Sequence, residues 1–212
     1  MAVANYHDAH GHYPPAYLAD ANGRPIHSWR VLLLPYIEQK DLYDQYDFSE
    51  PWDGPKNRQL AERMPAIYAF HGESRPGVVE TNYLAVVGPE TVWPGRDRVS
   101  SKDVVDGLSS TILIVENLGA RVHWMEPRDL PFGRMSFKVD SPEGVSSKYL
   151  DPAVVMLDGS LHTLRKDLRE GTLRALLTTR GGEKVQEKDQ GWVLLPDGRD
   201  RPPAVPPGRA ER

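Results

Sequence analysis

Proline and glycine set the limits on what this chain can build. Nineteen Pro and eighteen Gly are spread through 212 residues, about a sixth of the chain where roughly 12% is usual. Each Pro removes a backbone donor, and each Gly weakens a helix or strand that contains it. Long uninterrupted helices are therefore excluded, and the sequence predicts short elements, many turns and much irregular structure. Five Trp and nine Tyr supply the apolar area to order such a chain, since disordered sequences are poor in aromatics. The length suits one domain of moderate size, expected over residues 1–195. Residues 196–212 hold five Pro, two Gly and seven charges and are predicted to form a disordered Pro/Arg-rich tail.

Charge and cysteine usage remove several functional classes. Twenty-six Lys and Arg against thirty Asp and Glu leave a formal charge of −4, which gives no general drive toward polyanions, so nucleic acid is not an expected partner. The absence of Cys excludes disulfide scaffolds, cysteine-ligated zinc, iron–sulfur sites and thiol catalysis. No run reaches the roughly 18 apolar residues of a membrane span, so the chain as given is expected to be soluble.

Along the chain, residues 1–13 read as the last turns of a helix, stopped by Gly11 and then Pro14-Pro15. Ser28 is placed to cap a helix whose apolar face carries Leu32, Tyr36 and Tyr43 beside Leu33 and Ile37, with a kink or two abutting helices at Pro35. The run 51–55 (PWDGP) is a turn, 57–64 a short helix and 66–70 a short strand. β-rich runs follow at 81–87, 111–116 and 153–157. Asp158-Gly159 between AVVML and SLHTL reads as a two-residue hairpin in a type I′ turn, with positive φ at both positions. Residues 167–179 have helical spacing and 192–195 form a last strand. Strands and helices are segregated, so the fold class is α+β, with a helical layer on an antiparallel sheet.

Candidate chemistry is thin. His7, His10 and His12 lie within six residues and have the chemistry of transition-metal ligands, but Gly11 breaks the helix before His12. His27, His71, His123 and His162 are isolated and expected in the core or on a hairpin face. The acid clusters Asp41, Asp44, Asp47 and Asp103, Asp106 read as solvated faces. The Asp-Gly steps at Asp53, Asp106 and Asp158 read as turns. No phosphate loop, dinucleotide fingerprint or serine elbow occurs. Trp29, Trp52, Trp93 and Trp124 have the chemistry of stacking platforms for a groove, or of core residues in a Pro-rich fold.

Several strings in order resemble one bacterial family, greatly expanded in planctomycetes, with a prepilin-type N-terminus and a C-terminal His-(nine residues)-Asp-Gly motif. They include Asn5-Tyr6-His7-Asp8, Pro14-Pro15-Ala16-Tyr17, Ser28-Trp29-Arg30-Val31, Leu34-Pro35-Tyr36-Ile37-Glu38-Gln39, Tyr43-Asp44-Gln45-Tyr46-Asp47, Pro51-Trp52-Asp53-Gly54-Pro55, Tyr83-Leu84-Ala85-Val86-Val87-Gly88, His123-Trp124-Met125-Glu126-Pro127-Arg128-Asp129-Leu130 and Asp158-Gly159-Ser160. The resemblance runs over nearly all of residues 2–180. It implies a pseudopilin-like organisation, in which Asn-Tyr-His-Asp directly follows a hydrophobic anchor helix that this chain does not include. Two departures stand out: Lys148 takes the place of the motif's His, and Phe70-His71-Gly72 stands where many relatives carry Cys-Pro-Ser-Asp.

The resulting expectation is a non-enzymatic, extracytoplasmic envelope protein, anchored in the inner membrane only through the helix absent here. It would act through assembly or surface contacts with other pseudopilin-like or envelope proteins. No catalytic residue, cofactor or metal is assigned. Asn5, Tyr6, His7, Asp8, Trp29, Asp158 and Gly159 are expected to be structural, and Trp52, Asp53, His123, Trp124, Glu126 and Arg128 to offer surface or ligand contacts. The alternative is a small-solute or glycan binder with a Trp-lined groove.

Overall fold

A computed structural model describes residues 2–70, 75–149, 151–188 and 191–195. The expectations for His71 and for the 196–212 tail lie outside the described residues.

Helix α1 (Ala2–His10) ends where Gly11 takes φ 77°, a left-handed value that only glycine adopts without strain. Strands β1 (Tyr17–Ala19) and β2 (Pro25–Ser28) form an antiparallel ribbon. The chain then breaks into three short pieces: α2 (Trp29–Leu32), a 3-10 segment Leu34–Ile37 and α3 (Lys40–Gln45). Ser28 caps α2 as its sequence position predicts, its hydroxyl accepting from the Arg30 amide. Pro35 lies at the start of the 3-10 segment, where its missing donor does no harm. A further 3-10 segment covers Asn57–Arg63.

The strand expected over 66–70 is not formed. Ala66–Tyr68 is a 3-10 turn, because the Tyr68 and Ala69 amides bond back to Pro65 and Ala66. The run 81–87 is also not one strand. It divides into β3 (Glu80–Thr81), β4 (Tyr83–Leu84) and β5 (Val86–Val87). The breaks fall where side chains take the backbone groups: Asn82 pairs with Asn117, and the Ala85 amide donates to the Asp129 carboxylate at 2.8 Å.

The main sheet has the order β10-β9-β6-β4 and is antiparallel throughout, built from β6 (Ile112–Glu116), β9 (Ala153–Met156) and β10 (Leu161–Thr163). Around it stand β3 with β7 (Val122–His123), β5 with β8 (Leu130–Pro131), which is the parallel pair, and β11 (Val185–Lys188) with β12 (Gly191–Leu194). Helix α4 (Glu170–Leu177) buries Leu173, Leu176 and Leu177. The class is α+β.

Two apolar clusters share the sheet. β6 feeds both: Leu113 joins the aromatic-rich cluster with α1, α2 and the 3-10 segments, while Ile112 and Val115 join an aliphatic cluster with α4. A strand covered on both faces reads as a continuous apolar run, and ILIV at 112–115 is one. The N-terminal helical layer is thus matched by α4 against the other cluster.

The hairpin after β9 differs from its expected form. Met156 bonds to Ser160 and the Gly159 amide donates to the Met156 carbonyl, so the connection has three residues, Leu157, Asp158 and Gly159. Gly159 alone takes a positive φ, 87°. This is the type I turn closed by a left-handed residue, the next commonest hairpin after the primed ones. Leu157 leaves the ladder because its side chain is drawn into the aromatic core while its amide donates to Thr111.

Candidate functional site

Of the N-terminal motif residues, Tyr6 and His7 pack against the domain. Tyr6 is the buried residue of α1 and sets its ring 5.5 Å from Tyr36; burial raises the pKa of its hydroxyl. Asn5 and Asp8 are exposed. His7 Nε2 accepts from the Ser101 amide at 3.2 Å, His10 meets the Tyr36 hydroxyl at 2.9 Å, and His12 Nδ1 donates to the Tyr13 carbonyl at 2.7 Å. The three imidazoles therefore turn to separate partners. Among the described residues, no group of three or more His, Asp or Glu gathers as a metal site.

Of the expected contact residues, the structure brings together Trp52 and His123, with ring centroids 5.0 Å apart. Both are half-buried, and burial lowers the pKa of His123. Asp53 is exposed in the neighbouring turn, and its side chain makes no hydrogen bond or ion pair among the described residues. Glu126 and Arg128 form a bidentate pair at 2.7 and 3.2 Å, and Arg128 also donates to the carbonyls of Ala120 and Arg121. Arg128 thus clamps its own loop. Trp124 has no exposed surface; its indole donates to the Ala61 carbonyl at 2.8 Å and its ring stacks on Tyr68.

The tryptophans do not form a groove. Trp29, Trp93 and Trp124 are 3%, 1% and 0% exposed, too little to stack on a ligand. Asp158 Oδ1 accepts from the Ser160 amide and hydroxyl at 2.8 and 2.7 Å, and these bonds lower its pKa.

The centre of the aromatic layer is a pair that sequence reading passed over. Arg30 Nη2 meets Asp129 Oδ1 at 2.7 Å, with the two side chains 0% and 2% exposed. The same oxygen accepts from the Ala85 amide and, at 3.3 Å, from the Trp29 indole. Arg30 also donates to Ser28 Oγ and the Tyr83 carbonyl, and its guanidinium lies 4.5 Å from the Trp29 ring centroid. Burial pushes the Asp129 carboxyl up, while Arg30 and the donors pull it back. The arrangement is a buried Arg–carboxylate pair. Both residues lie inside the strings quoted above, one position from Trp29 and Arg128. The available signal was an acid flanked by Pro127 and Pro131 just before buried Leu130.

Lys148 and Phe70, far apart in sequence, meet in space. Lys148 Nζ lies 4.6 Å from the Phe70 ring centroid and 5.3 Å from that of Tyr149, with the two rings stacked at 6.0 Å. An ammonium close to two aromatic rings is a favourable cation–π arrangement.

A separate concavity of about 970 Å³ opens where α4 and β12 meet the 89–103 loop. Its rim carries Arg98, Arg174 and Arg180 together with Glu90, Asp103 and Glu183. Trp residues do not line it.

No described helix is long and apolar enough to cross a membrane. Residues 1–95 match the model of a family described as a protein of unknown function, DUF1559. That match spans α1 to the loop after β5 and leaves Asp129, the hairpin and α4 outside it. No curated protein and no solved structure matches the chain.

Proposed function

We propose that this chain is the globular part of a pseudopilin-like envelope protein, extracytoplasmic and non-enzymatic, that acts through assembly or surface contacts with other envelope proteins. The observation that carries this reading is the burial of Trp29, Trp93 and Trp124. The residues best suited to stacking on a ligand are used as core, which is the behaviour of a scaffold. The Asn5-to-Asp8 motif is consistent with it, since α1 docks to the domain through Tyr6 and leaves Asn5 and Asp8 exposed to a neighbour.

The test is made on the parent gene and its product. The reading expects an apolar helix of about 20 residues immediately before Ala2, recovery of the full-length protein with the inner membrane, and cross-linking to envelope proteins through α1. A parent reading frame with no upstream apolar run, or a full-length protein found wholly in the soluble cytoplasmic fraction, overturns it.

A further inference from the structure

The concavity beside α4 has an unusual balance of charge. Asp103 and Arg180 bind each other at 2.6 Å, and Asp103 also holds Ser100, so neither is free for a ligand. The remaining four charged groups are two of each sign. Arg98 has no hydrogen bond or ion pair among the described residues. Arg174 has no acid partner there; its guanidinium lies 4.9 Å from the ring centroids of both Phe132 and Phe137, which fixes its position and leaves its donors open. The side chains of Glu90 and Glu183 likewise have no hydrogen bond or ion pair among the described residues.

Thr178 and Thr179 are buried among the lining residues, and their hydroxyls donate to the Ala175 and Glu90 carbonyls, leaving oxygen lone pairs. Val99, Leu194 and Leu195 add an apolar wall. The volume falls in the range of small-molecule sites, about 300 to 1,000 Å³.

We propose that this cleft binds a small zwitterionic solute of amino-acid or dipeptide class, its carboxylate facing Arg98 and Arg174 and its ammonium facing Glu90 and Glu183. A polyanion would meet two uncompensated carboxylates and a polycation two uncompensated guanidinia, and each like-charge approach is unfavourable. A zwitterion satisfies both sets. Guanidinium is suited to bidentate carboxylate binding, and the apolar wall accepts a side chain. The proposal is independent of whether the chain is anchored or assembles.

The test uses the 212-residue chain and three probes measured by calorimetric titration up to about 10 mM: L-alanyl-L-leucine, its N-acetyl derivative and its C-terminal amide. The zwitterion should bind about tenfold more tightly than either blocked form, equal to about 1.4 kcal/mol. Arg174→Gln and Arg98→Gln should weaken the zwitterion and the N-acetyl form, while Glu183→Gln should weaken the zwitterion and the amide. These side chains are exposed, and circular dichroism checks that the variants stay folded. An N-acetyl form that binds as well as the zwitterion makes the cleft an anion site and overturns the proposal. So does an amide that binds as well, an absence of saturable binding by all three, or binding unaffected by the variants.

Discussion

The two apolar clusters on β6 are held together by different chemistry. The N-terminal cluster is aromatic, with Tyr6, Tyr13, Trp29, Tyr46, Tyr68, Trp93 and Trp124 buried in it. The cluster under α4 is aliphatic apart from Phe132 and Trp192. In the first, polar tips reach across to backbone carbonyls, Trp93 to Leu113, Trp124 to Ala61 and Tyr68 to Arg30, and Trp29 reaches the Asp129 carboxylate. In the second, the indole nitrogen of Trp192 is buried without a partner among the described residues. Short 3-10 segments expose many backbone carbonyls and carry no long apolar stripe, so their region needs side chains that are apolar in body and donate at the tip. A sheet and an amphipathic helix satisfy their own backbone and need only apolar filling. The aromatic region is also not closed by its own part of the chain: Leu113, Trp124, Met125 and Leu157 complete its core, and Asp129 its ion pair, all from beyond residue 95. The segment that resembles the family of unknown function therefore depends on the segment outside that match.

The largest effect that can break this comparison is at the buried pair. Asp129→Ala should destabilise by about 3 to 5 kcal/mol, because it leaves the Arg30 charge buried and the Ala85 and Trp29 donors unsatisfied. Arg30→Met should cost a similar amount, and the double variant less than the sum. Urea denaturation of the three variants measures it. A loss within about 0.5 kcal/mol, the range of ordinary surface changes, would mean that the aromatic layer stands without its ionic centre.

Next comes the contrast between two tryptophans. Trp124→Phe removes volume and strands the Ala61 carbonyl, with an expected cost of about 2 to 4 kcal/mol. Trp192→Phe removes volume but also an unsatisfied donor, so it should stay within about 1 kcal/mol of the parent. Equal losses in the two, by the same denaturation measurement, would show that polar ties do not distinguish the clusters.

What the sequence revealed follows the same division. The Gly11 stop, the Ser28 cap, the 112–116 and 153–156 strands and α4 were legible because each rests on nearby residues: a turn glycine, a capping hydroxyl, an apolar period. The division of 81–87 into three pairings was not, because its breaks are made by Asn117 and Asp129, more than thirty residues away. The Arg30–Asp129 pair was hidden for the same reason, since 99 positions separate its members. The cleft was equally invisible, because its open charges come from the 89–103 loop, α4 and the segment after it. Strand character at 66–70 was a local reading that Pro65 and the Tyr68-to-Arg30 hydrogen bond overrode.

The hairpin ranks third. Gly159 has φ 87°, so Gly159→Val should destabilise by about 1 to 3 kcal/mol. Asp158→Asn should change little, since the amide oxygen still accepts from the Ser160 amide. Denaturation with and without Ca²⁺ checks both. A calcium-dependent loss in Asp158→Asn would replace the turn role with a ligand role.

The smallest effect separates the clusters by pH. His27 is 2% exposed, with Nδ1 accepting from the Tyr46 hydroxyl at 2.9 Å and Nε2 donating to the Phe48 carbonyl at 3.2 Å. Burial lowers its pKa below 6.5, against a smaller opposing pull from the Phe48 carbonyl. His123, packed on Trp52 and Trp124, is lowered by burial as well, opposed by Glu126 and Glu80. Both belong to the aromatic side. The unfolded chain takes up these protons near pH 6.5, whereas the folded chain does so only at lower pH. Stability should therefore be level above about pH 7 and fall as pH drops below 6.5, by at most about 1.4 kcal/mol per pH unit for each proton. The fall from these two groups ends once pH passes below their folded-state pKa values. His27→Gln keeps an acceptor and a donor of similar placement, so its denaturation midpoint should lose part of this acid slope while changing less at pH 7.5. A slope unchanged in that variant would place the acid sensitivity outside His27 and leave His123 as the group to substitute next.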